Sequence, residues 1–457
     1  MALETTTPDA ALGRPGAPAA GLALRWVFPS SDGSITALAG VTTFGRDPEC
    51  AGYLPSSSVS RKHAEIRWDP GSVPMLRDLG STNGVFLNTR VVKQAPLKLR
   101  DVLRFGDWIG VLVPLPRTGA TGWTFEEVTP GFWAGPELLR ALAPARAAAQ
   151  ANLSVIIQGE TGAGKEGTAR AIHEWSGRSG PFVAINSATL TESLAEALLF
   201  GHRKGAFTGA DSAQPGFLRA ARGGTLFFDE IVDLPLTIQA KLLRAIEQRE
   251  VIPVGETTPV AIDVRVLAAT AIPLREAVAA KRFRADLLAR LEGLTVVLPP
   301  LRDRIEDIPF LFAKLIEQER GAAALPRFDP LLIERLCTND WPFNVRGLAQ
   351  LARRLLALHP NAAVLDYDAL PAELHAVGHR APTPATGVAV APEDGGPDAE
   401  AEIDPAAFLA ALRDNRGNMK RTAAALGISR GRAYRLLEKH GSVDLEDLRQ
   451  GEPPARS

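Results

Sequence analysis

The run Gly159-Glu160-Thr161-Gly162-Ala163-Gly164-Lys165 constrains this chain more than any other segment. It follows an apolar stretch, Ser154–Gln158, and opens a helical pattern, Lys165–Trp175. Glycine admits positive φ and lets backbone close tightly around a ligand. Between a strand and a helix, such a loop aims N–H groups and a helix N-terminus at phosphate, with Lys165 placed for the β and γ oxygens. A glycine-rich turn with no ligand is the lesser reading, because strand and helix both stand where phosphate binding needs them. Apolar strands at Thr225–Phe228 and Val264–Ala268 alternate with helical patterns such as Leu236–Gln248. The alternation predicts an α/β fold around a parallel sheet.

Downstream of the loop, Gly224-Thr225-Leu226-Phe227-Phe228-Asp229-Glu230 is an apolar strand ending in two carboxylates. Acidic strand ends are common, but paired with the loop they suit ATP chemistry: Asp229 to hold Mg²⁺ and Glu230 to polarise the attacking water. Glu166 stands where Ser or Thr usually reaches the magnesium ion.

The 457 residues exceed one core and fit about three domains of roughly 100 to 200 residues. Residues 1–21, rich in Ala, Pro and Thr, read as a disordered tail. From 22 to 116, short runs at Leu22–Phe28, His63–Trp68, Val85–Leu87 and Val102–Phe105 are separated by turn residues, the texture of a β-sandwich. The α/β unit spans 128–375, with a helical lid from about 304, where Asp329-Pro330 reads as an N-cap with first-turn proline and Asn344 as a second cap. A Pro/Gly-rich linker follows at 376–402, and a compact helical unit at 403–448. Lys plus Arg, 51, nearly cancel Asp plus Glu, 52, so nucleic-acid contact needs a local basic patch. Cys50 and Cys337 lack metal-ligand spacing and read as idle thiols of a reducing compartment. No signal-peptide pattern and no long apolar run is present, so a cytoplasmic protein with no membrane partner is expected.

The motifs together resemble the AAA+ domain of sigma-54-dependent activators. The resemblance rests on Gly159–Glu166, on Leu199-Phe200-Gly201-His202 leading into Gly205-Ala206-Phe207-Thr208-Gly209-Ala210, on the run Gly223–Gly255, and on Phe283-Arg284-Ala285-Asp286-Leu287 through Leu298-Pro299-Pro300-Leu301-Arg302. It implies that ATP and Mg²⁺ are cofactors, that 205–210 contacts sigma-54, and that Arg284 and Arg290 are arginine fingers acting on a neighbouring subunit of a hexameric ring. It implies that Asn186 couples Glu230 to the nucleotide state and that Arg346 is the sensor II arginine. The chain departs from the family pattern at Ala271, where Asn is usual, at Arg203 for Glu, and at Gly347 for Glu. These departures leave open slower or differently gated hydrolysis.

Upstream, Gly45-Arg46, Ser60-Arg61-Lys62-His63 and Gly80-Ser81-Thr82-Asn83-Gly84 lie on turns between strands, where a rigid sandwich reads ligands. They resemble a forkhead-associated (FHA) domain, a family that binds phosphothreonine peptides. Carried over, Arg46 and Ser60 bind the phosphate, Arg61 and Thr82 complete the pocket, and Asn83 holds the peptide backbone; an arginine fork with hydroxyl donors suits the dianion. His63 reads as an internal support of the loop. A phosphorylated partner protein is the expected ligand, with the chain's own tail at Thr5, Thr6 or Thr7 as a minor alternative. Downstream, Thr422-Ala423-Ala424-Ala425-Leu426-Gly427-Ile428 joins two helical stretches, and between 412 and 439 Lys and Arg outnumber Asp and Glu eight to two. The stretch resembles a Fis-type helix-turn-helix, in which Ser429, Arg430, Arg432, Tyr434 and Arg435 face DNA. The whole reads as an enhancer-binding activator whose ring, assembled from dimers, remodels sigma-54 RNA polymerase holoenzyme. A phosphopeptide-binding repressor or scaffold on DNA, with a degenerate ATPase, is the alternative that Ala271 permits.

Overall fold

Near-continuous apolar runs mark the first strands, Leu-Ala-Leu-Arg-Trp-Val-Phe at 22–28 and Trp-Ile-Gly-Val-Leu-Val-Pro at 108–114. In an antiparallel sandwich, one-sided burial would give alternation instead. The computed structural model describes residues 21–29, 33–115, 125–206, 211–321 and 324–375, with 408, 410–412, 422, 425 and 426. Its first strands are β1 (Leu22–Phe28), β2 (Ile35–Leu38), β3 (Gly40–Gly45), β4 (Gly52–Tyr53), β5 (Ala64–Trp68) and β6 (Met75–Asp78). Then come β7 (Val85–Leu87), β8 (Arg90–Val92), β9 (Gln94–Pro96), β10 (Val102–Phe105) and β11 (Trp108–Pro114). They form two facing sheets, ordered β2-β1-β11-β10-β7-β8 and β4-β3-β5-β6-β9. Leu24, Trp26, Phe44, Ile66, Leu103, Phe105 and Leu112 fill the space between them.

The sandwich is followed by a hairpin, β12 (Glu126–Thr129) and β13 (Phe132–Ala134), and by α1 (Pro136–Ala147), β14 (Val155–Gln158), α2 (Lys165–Ser176), β15 (Phe182–Asn186), α3 (Glu192–Phe200) and α4 (Phe217–Ala220). Next are β16 (Thr225–Asp229), α5 (Leu236–Gln248), the pair β17 (Glu250–Val251) and β18 (Val260–Ala261), β19 (Arg265–Thr270), α6 (Leu274–Ala279), α7 (Ala285–Leu291) and β20 (Leu294–Val297). Five parallel strands, β15-β16-β19-β14-β20, make the central sheet, with apolar side chains on both faces. Parallel strands crossed over by helices bury both faces, which is why β16 and β19 carry few polar residues. The lid comprises α8 (Ile308–Arg320), β21 (Arg327–Phe328), α9 (Pro330–Thr338), α10 (Asn344–Leu358), β22 (Val364–Leu365) and α11 (Ala372–His375).

The two-sided burial of β1 and β11 has its cause in this lid. Ala23, Val27, Val102, Ile109, Val111 and Val113, on the outer face of the first sheet, share one core with Leu301, Ile308, Phe312, Leu332 and Leu336. Chain contacts group residues 1–378 as one compact unit and 379–457 as a second. In the second, Phe408, Leu412 and Thr422 are buried and Leu426 N–H donates to Thr422 O at 3.1 Å. Asp329 caps α9, its side chain accepting from Leu331 N–H at 2.8 Å. Asn344 does not cap α10: it is the helix's first residue, at φ 50°, and its side chain leaves the helix altogether. No helix among the described residues is long and apolar enough to cross a membrane, and Cys50 and Cys337 are free and buried.

Candidate functional site

The phosphate loop starts where β14 ends. Gly159 N–H donates to Thr270 O of the neighbouring strand at 3.1 Å, and the loop turns through Gly162 at φ 76° and Gly164 at φ 109° before α2 begins at Lys165. Those angles favour glycine. Lys165 is buried, 7% exposed at the side chain, and its Nζ donates to Gly159 O at 3.0 Å and to Glu230 Oε1 at 2.9 Å. Glu230, in the left-handed region at φ 50°, also accepts from Ala271 N–H at 3.2 Å. At the position where the resembled family usually carries Asn, the backbone N–H of Ala271 bonds the carboxylate.

Asp229 ends β16 opposite Asn186 of β15. Burial, and then the charge of Glu230, push its carboxyl above the ordinary value, and its buried Oδ1 has no hydrogen-bond partner among the described residues. An orphaned buried acceptor beside a phosphate loop fits a divalent cation, which magnesium sites typically hold through one or two carboxylates plus phosphate oxygens. Asn186 does not reach Glu230; its Oδ1 accepts from Ala188 N–H at 3.0 Å. Glu166 pairs along α2 with Arg170 at 2.8 Å.

The loop is clasped from the lid side. Arg302 donates to both oxygens of Glu160 at 2.8 and 2.5 Å, holding that carboxyl below its usual range. Asn344 Nδ2 donates to Thr161 O at 3.0 Å and Glu160 Oε2 at 3.2 Å, while its Oδ1 accepts from Leu301 N–H at 2.7 Å. Val345 N–H donates to Gly162 O at 3.1 Å, and a Cβ on Gly162 would lie 2.2 Å from Phe343 O and 2.9 Å from Arg346 Cβ, so the start of α10 packs against the loop. A cavity of about 80 Å³ opens beside Ala163 and Gly164, walled by Phe132, Trp133, Leu311 and Val345. Arg304, Lys314 and Gln318 complete a wall that is otherwise mostly apolar. Phe132 was not singled out from the sequence; its signal was an aromatic pair just before a helix that leads into the phosphate-loop strand.

Arg284 and Arg290 lie elsewhere. Arg284, at the start of α7, is exposed and forks onto Asp286 at 3.0 and 2.7 Å. Arg290 lines a cleft of about 260 Å³ with Asn152, Arg249, Asp263 and Arg265. Neither is bonded to the phosphate loop of its own chain. Gly205, at φ 76°, and Ala206, whose N–H donates to Arg203 O, end a segment that His202 ties to Gln214 and Val254. Phe207, Thr208, Gly209 and Ala210 lie outside the described residues, as do Ser429, Arg430, Arg432, Tyr434 and Arg435 and the tail threonines.

In the sandwich, the turn clusters meet at one end. Arg46 N–H donates to Ser60 O at 3.0 Å, and Thr82 N–H donates to Ser60 Oγ at 3.1 Å. Asn83 Nδ2 donates to Ser58 O at 2.7 Å. His63, fully buried, accepts from Ser60 N–H through Nδ1, so Nε2 donates to Gly84 O at 3.1 Å; burial keeps its pKa below the usual value. Arg46 and Arg61 are exposed and form no ion pair among the described residues. Ser60 Oγ and Thr82 Oγ1 lie 3.4 Å apart at the same end.

Family models match three parts of the chain: a sigma-54 interaction domain at 134–297, an FHA domain at 42–106 and an AAA+ ATPase lid domain at 302–386. The transcriptional regulatory protein GlrR of Escherichia coli (strain K12) is 38% identical over 69% of this chain and 68% of its own. This chain belongs to the sigma-54-dependent transcriptional regulators. The DNA-binding transcriptional regulator NtrC of Rhizobium meliloti (strain 1021) is 46% identical over 47% of this regulator and 45% of its own length. The regulator thus spans about half the length of that curated relative. A crystal structure of NtrX from Brucella abortus in complex with ATP is 31% identical, covers 71% of this regulator and 70% of its own chain, and superposes at a TM-score of 0.47.

Proposed function

We propose that the chain is an ATP-driven transcription activator: its FHA domain reads phosphothreonine, and its AAA+ ring, on enhancer DNA, remodels sigma-54 RNA polymerase holoenzyme in the cytoplasm. The observation that carries the reading is the meeting of Lys165, Asp229 and Glu230 at one phosphate loop, with Asp229 Oδ1 unpartnered. Mg²⁺ at Asp229 would neutralise charge between the β and γ phosphates. The protein's own residues do the rest. Lys165 leaves Glu230 for the phosphate oxygens; the freed carboxylate then orients a water and accepts its proton. Arg346 and the clasp at Glu160 and Asn344 fold the lid over the nucleotide and exclude bulk water. Arg284 must give up Asp286 before it can reach a neighbouring subunit's γ-phosphate, so isolated protomers hydrolyse slowly. The loop 205–210 contacts sigma-54, Arg46, Ser60, Arg61, Thr82 and Asn83 take the phosphopeptide, and residues 429–435 face DNA. The division into 22–116, 128–375, 376–402 and 403–448 belongs to the same proposal.

The test is open-complex formation at a sigma-54 promoter by the full chain with ATP, with Glu230→Gln as control. Open complexes that vanish in the control support the activator. ATP binding without turnover or open complexes would refute it, and favour the DNA-bound scaffold, for which Ala271 in place of a side-chain amide is the specific observation.

A further inference from the structure

A polar chain runs from the phosphopeptide end of the sandwich to the lid. Asn83 Nδ2 donates to Ser58 O at 2.7 Å, and Ser58 Oγ donates to Asp107 Oδ1 at 2.6 Å while accepting from Asp107 N–H at 3.0 Å. One residue back, Gly106 O accepts from Arg104 Nη1 at 3.2 Å. Arg104 lies over the Phe86 ring at 3.6 Å and pairs through Nε with Glu334 Oε2 of α9 at 2.5 Å. The pair is buried, 8% and 2% exposed, and Glu334 Oε1 also accepts from Thr89 N–H at 3.0 Å. Strand β7 joins Asn83 to Thr89 along a second path. On the lid side, Trp341 Nε1 donates to Leu336 O of α9 at 2.8 Å, and the turn that follows delivers Asn344 to Glu160 and Thr161 of the phosphate loop.

We propose that the FHA domain is a structural layer of the AAA+ lid, and that phosphopeptide occupancy is transmitted to the nucleotide site through Ser58, Asp107, Arg104 and Glu334. The proposal rests on the phosphothreonine and ATP assignments above. A buried ion pair across an apolar interface punishes sliding, because separating its members leaves uncompensated charge out of water. The two bodies therefore move together or separate as a unit, and a loop shift at Asn83 reaches α9 as a lid displacement. Contiguity alone carries no energy; a coupling factor does. Reciprocity requires that the nucleotide alter peptide affinity by the factor by which peptide alters nucleotide affinity.

The experiment uses the full chain, a fluorescein-labelled degenerate phosphothreonine peptide with aspartate three positions on, its unphosphorylated counterpart, and a non-hydrolysable ATP analogue with Mg²⁺. In the unaltered protein each ligand is expected to shift the other's Kd by at least about fivefold, equally in both directions. Ser58→Ala keeps the carbonyl that Asn83 uses and removes only the hydroxyl, so both ligands still bind and the factor falls to within about twofold of one. Arg104→Met alone strands Glu334 and risks unfolding the interface, so the far end of the relay is tested with the Arg104→Met/Glu334→Met double variant, expected to lose coupling in the same way. If both ligands bind the unaltered protein with no mutual effect, the coupling is refuted while the two site assignments stand. Undiminished coupling in Ser58→Ala refutes the relay, and failure of the phosphorylated peptide to bind better than its counterpart removes the assignment and the proposal with it.

Discussion

Replacing Asn344 with alanine separates the phosphate loop from the lid. The side chain is fully buried and serves three groups: Leu301 N–H, Thr161 O and Glu160. Leu301 is itself fully buried, so its stranded N–H costs about 2 kcal/mol. Thr161 is exposed, and water can replace the bonds to it and to Glu160, at a loss of about 1 kcal/mol. Asparagine tolerates φ 50°, whereas alanine there costs about 1 kcal/mol more. Together these oppose lid docking by about 4 kcal/mol, and since each 1.4 kcal/mol is tenfold, complete transfer to binding would weaken ATP by almost three decades. Part of the cost falls on the lid alone, so the expected loss is at least about tenfold. The assay is equilibrium anisotropy with a fluorescent non-hydrolysable ATP analogue, alongside circular dichroism to establish folding. Asn344→Gly removes the same bonds without the backbone strain and should bind tighter than Asn344→Ala, by about fivefold at complete transfer and about twofold at the partial transfer above. A folded Asn344→Ala protein binding the analogue within threefold of the unaltered chain would refute the clasp.

Arg290→Ala should lower ATP turnover by about 10³ while leaving nucleotide affinity unchanged, since a finger acts on charge that develops only in the transition state; full turnover in steady-state assays would remove the trans assignment. Phe132→Ala should weaken ATP by about threefold to tenfold through loss of a ring face, and leave inorganic triphosphate binding untouched. Burial pushes the Asp307 carboxyl up to about 8, against 3.8 for the free group, and it faces Arg304, Glu306, Glu137 and Arg25. The folded chain then holds a proton that the unfolded chain has released between about pH 4 and 8, so this group lowers stability as pH rises through that window and is level above it. Melting temperatures measured from pH 5 to 8.5 should fall, and Asp307→Asn should flatten the fall, with Glu306, shifted the same way by burial, leaving a residual slope; an unchanged profile in the variant would show that Asp307 is ionised throughout.

Much of the framework was legible because local pattern and tertiary demand agree. Leu22–Phe28, Val85–Leu87, Val102–Phe105 and Leu236–Gln248 are elements at the residues where periodicity places them. The convergence of Lys165, Asp229 and Glu230 follows from strand ends of one parallel sheet. The illegible parts depended on partners distant in sequence. Asn344 has the chemistry of a cap, but Leu301 and Thr161 compete for its amide and win, which only the fold could reveal. Asn186, which by resemblance couples Glu230 to the nucleotide state, here closes its own turn, and Lys165 bonds the carboxylate. The near-continuous apolar run of β1 did carry a signal, since alternation is what a solvated sandwich face requires. Its partner, α8, begins some 280 residues later, beyond the reach of any local pattern.

The shared core also bears on where this polypeptide can be cut. A fragment ending after Pro114 would bring Ala23, Val27, Ile109, Val111 and Val113 into water on one contiguous sheet face, and an AAA+ fragment without it would bare Leu332, Leu336 and an unpaired Glu334. Patches of that kind drive self-association. The segment between the two motifs looks like a natural seam to a molecular biologist, yet expression trials and domain-swap chimeras that divide the chain there would be handling two halves of one folding unit.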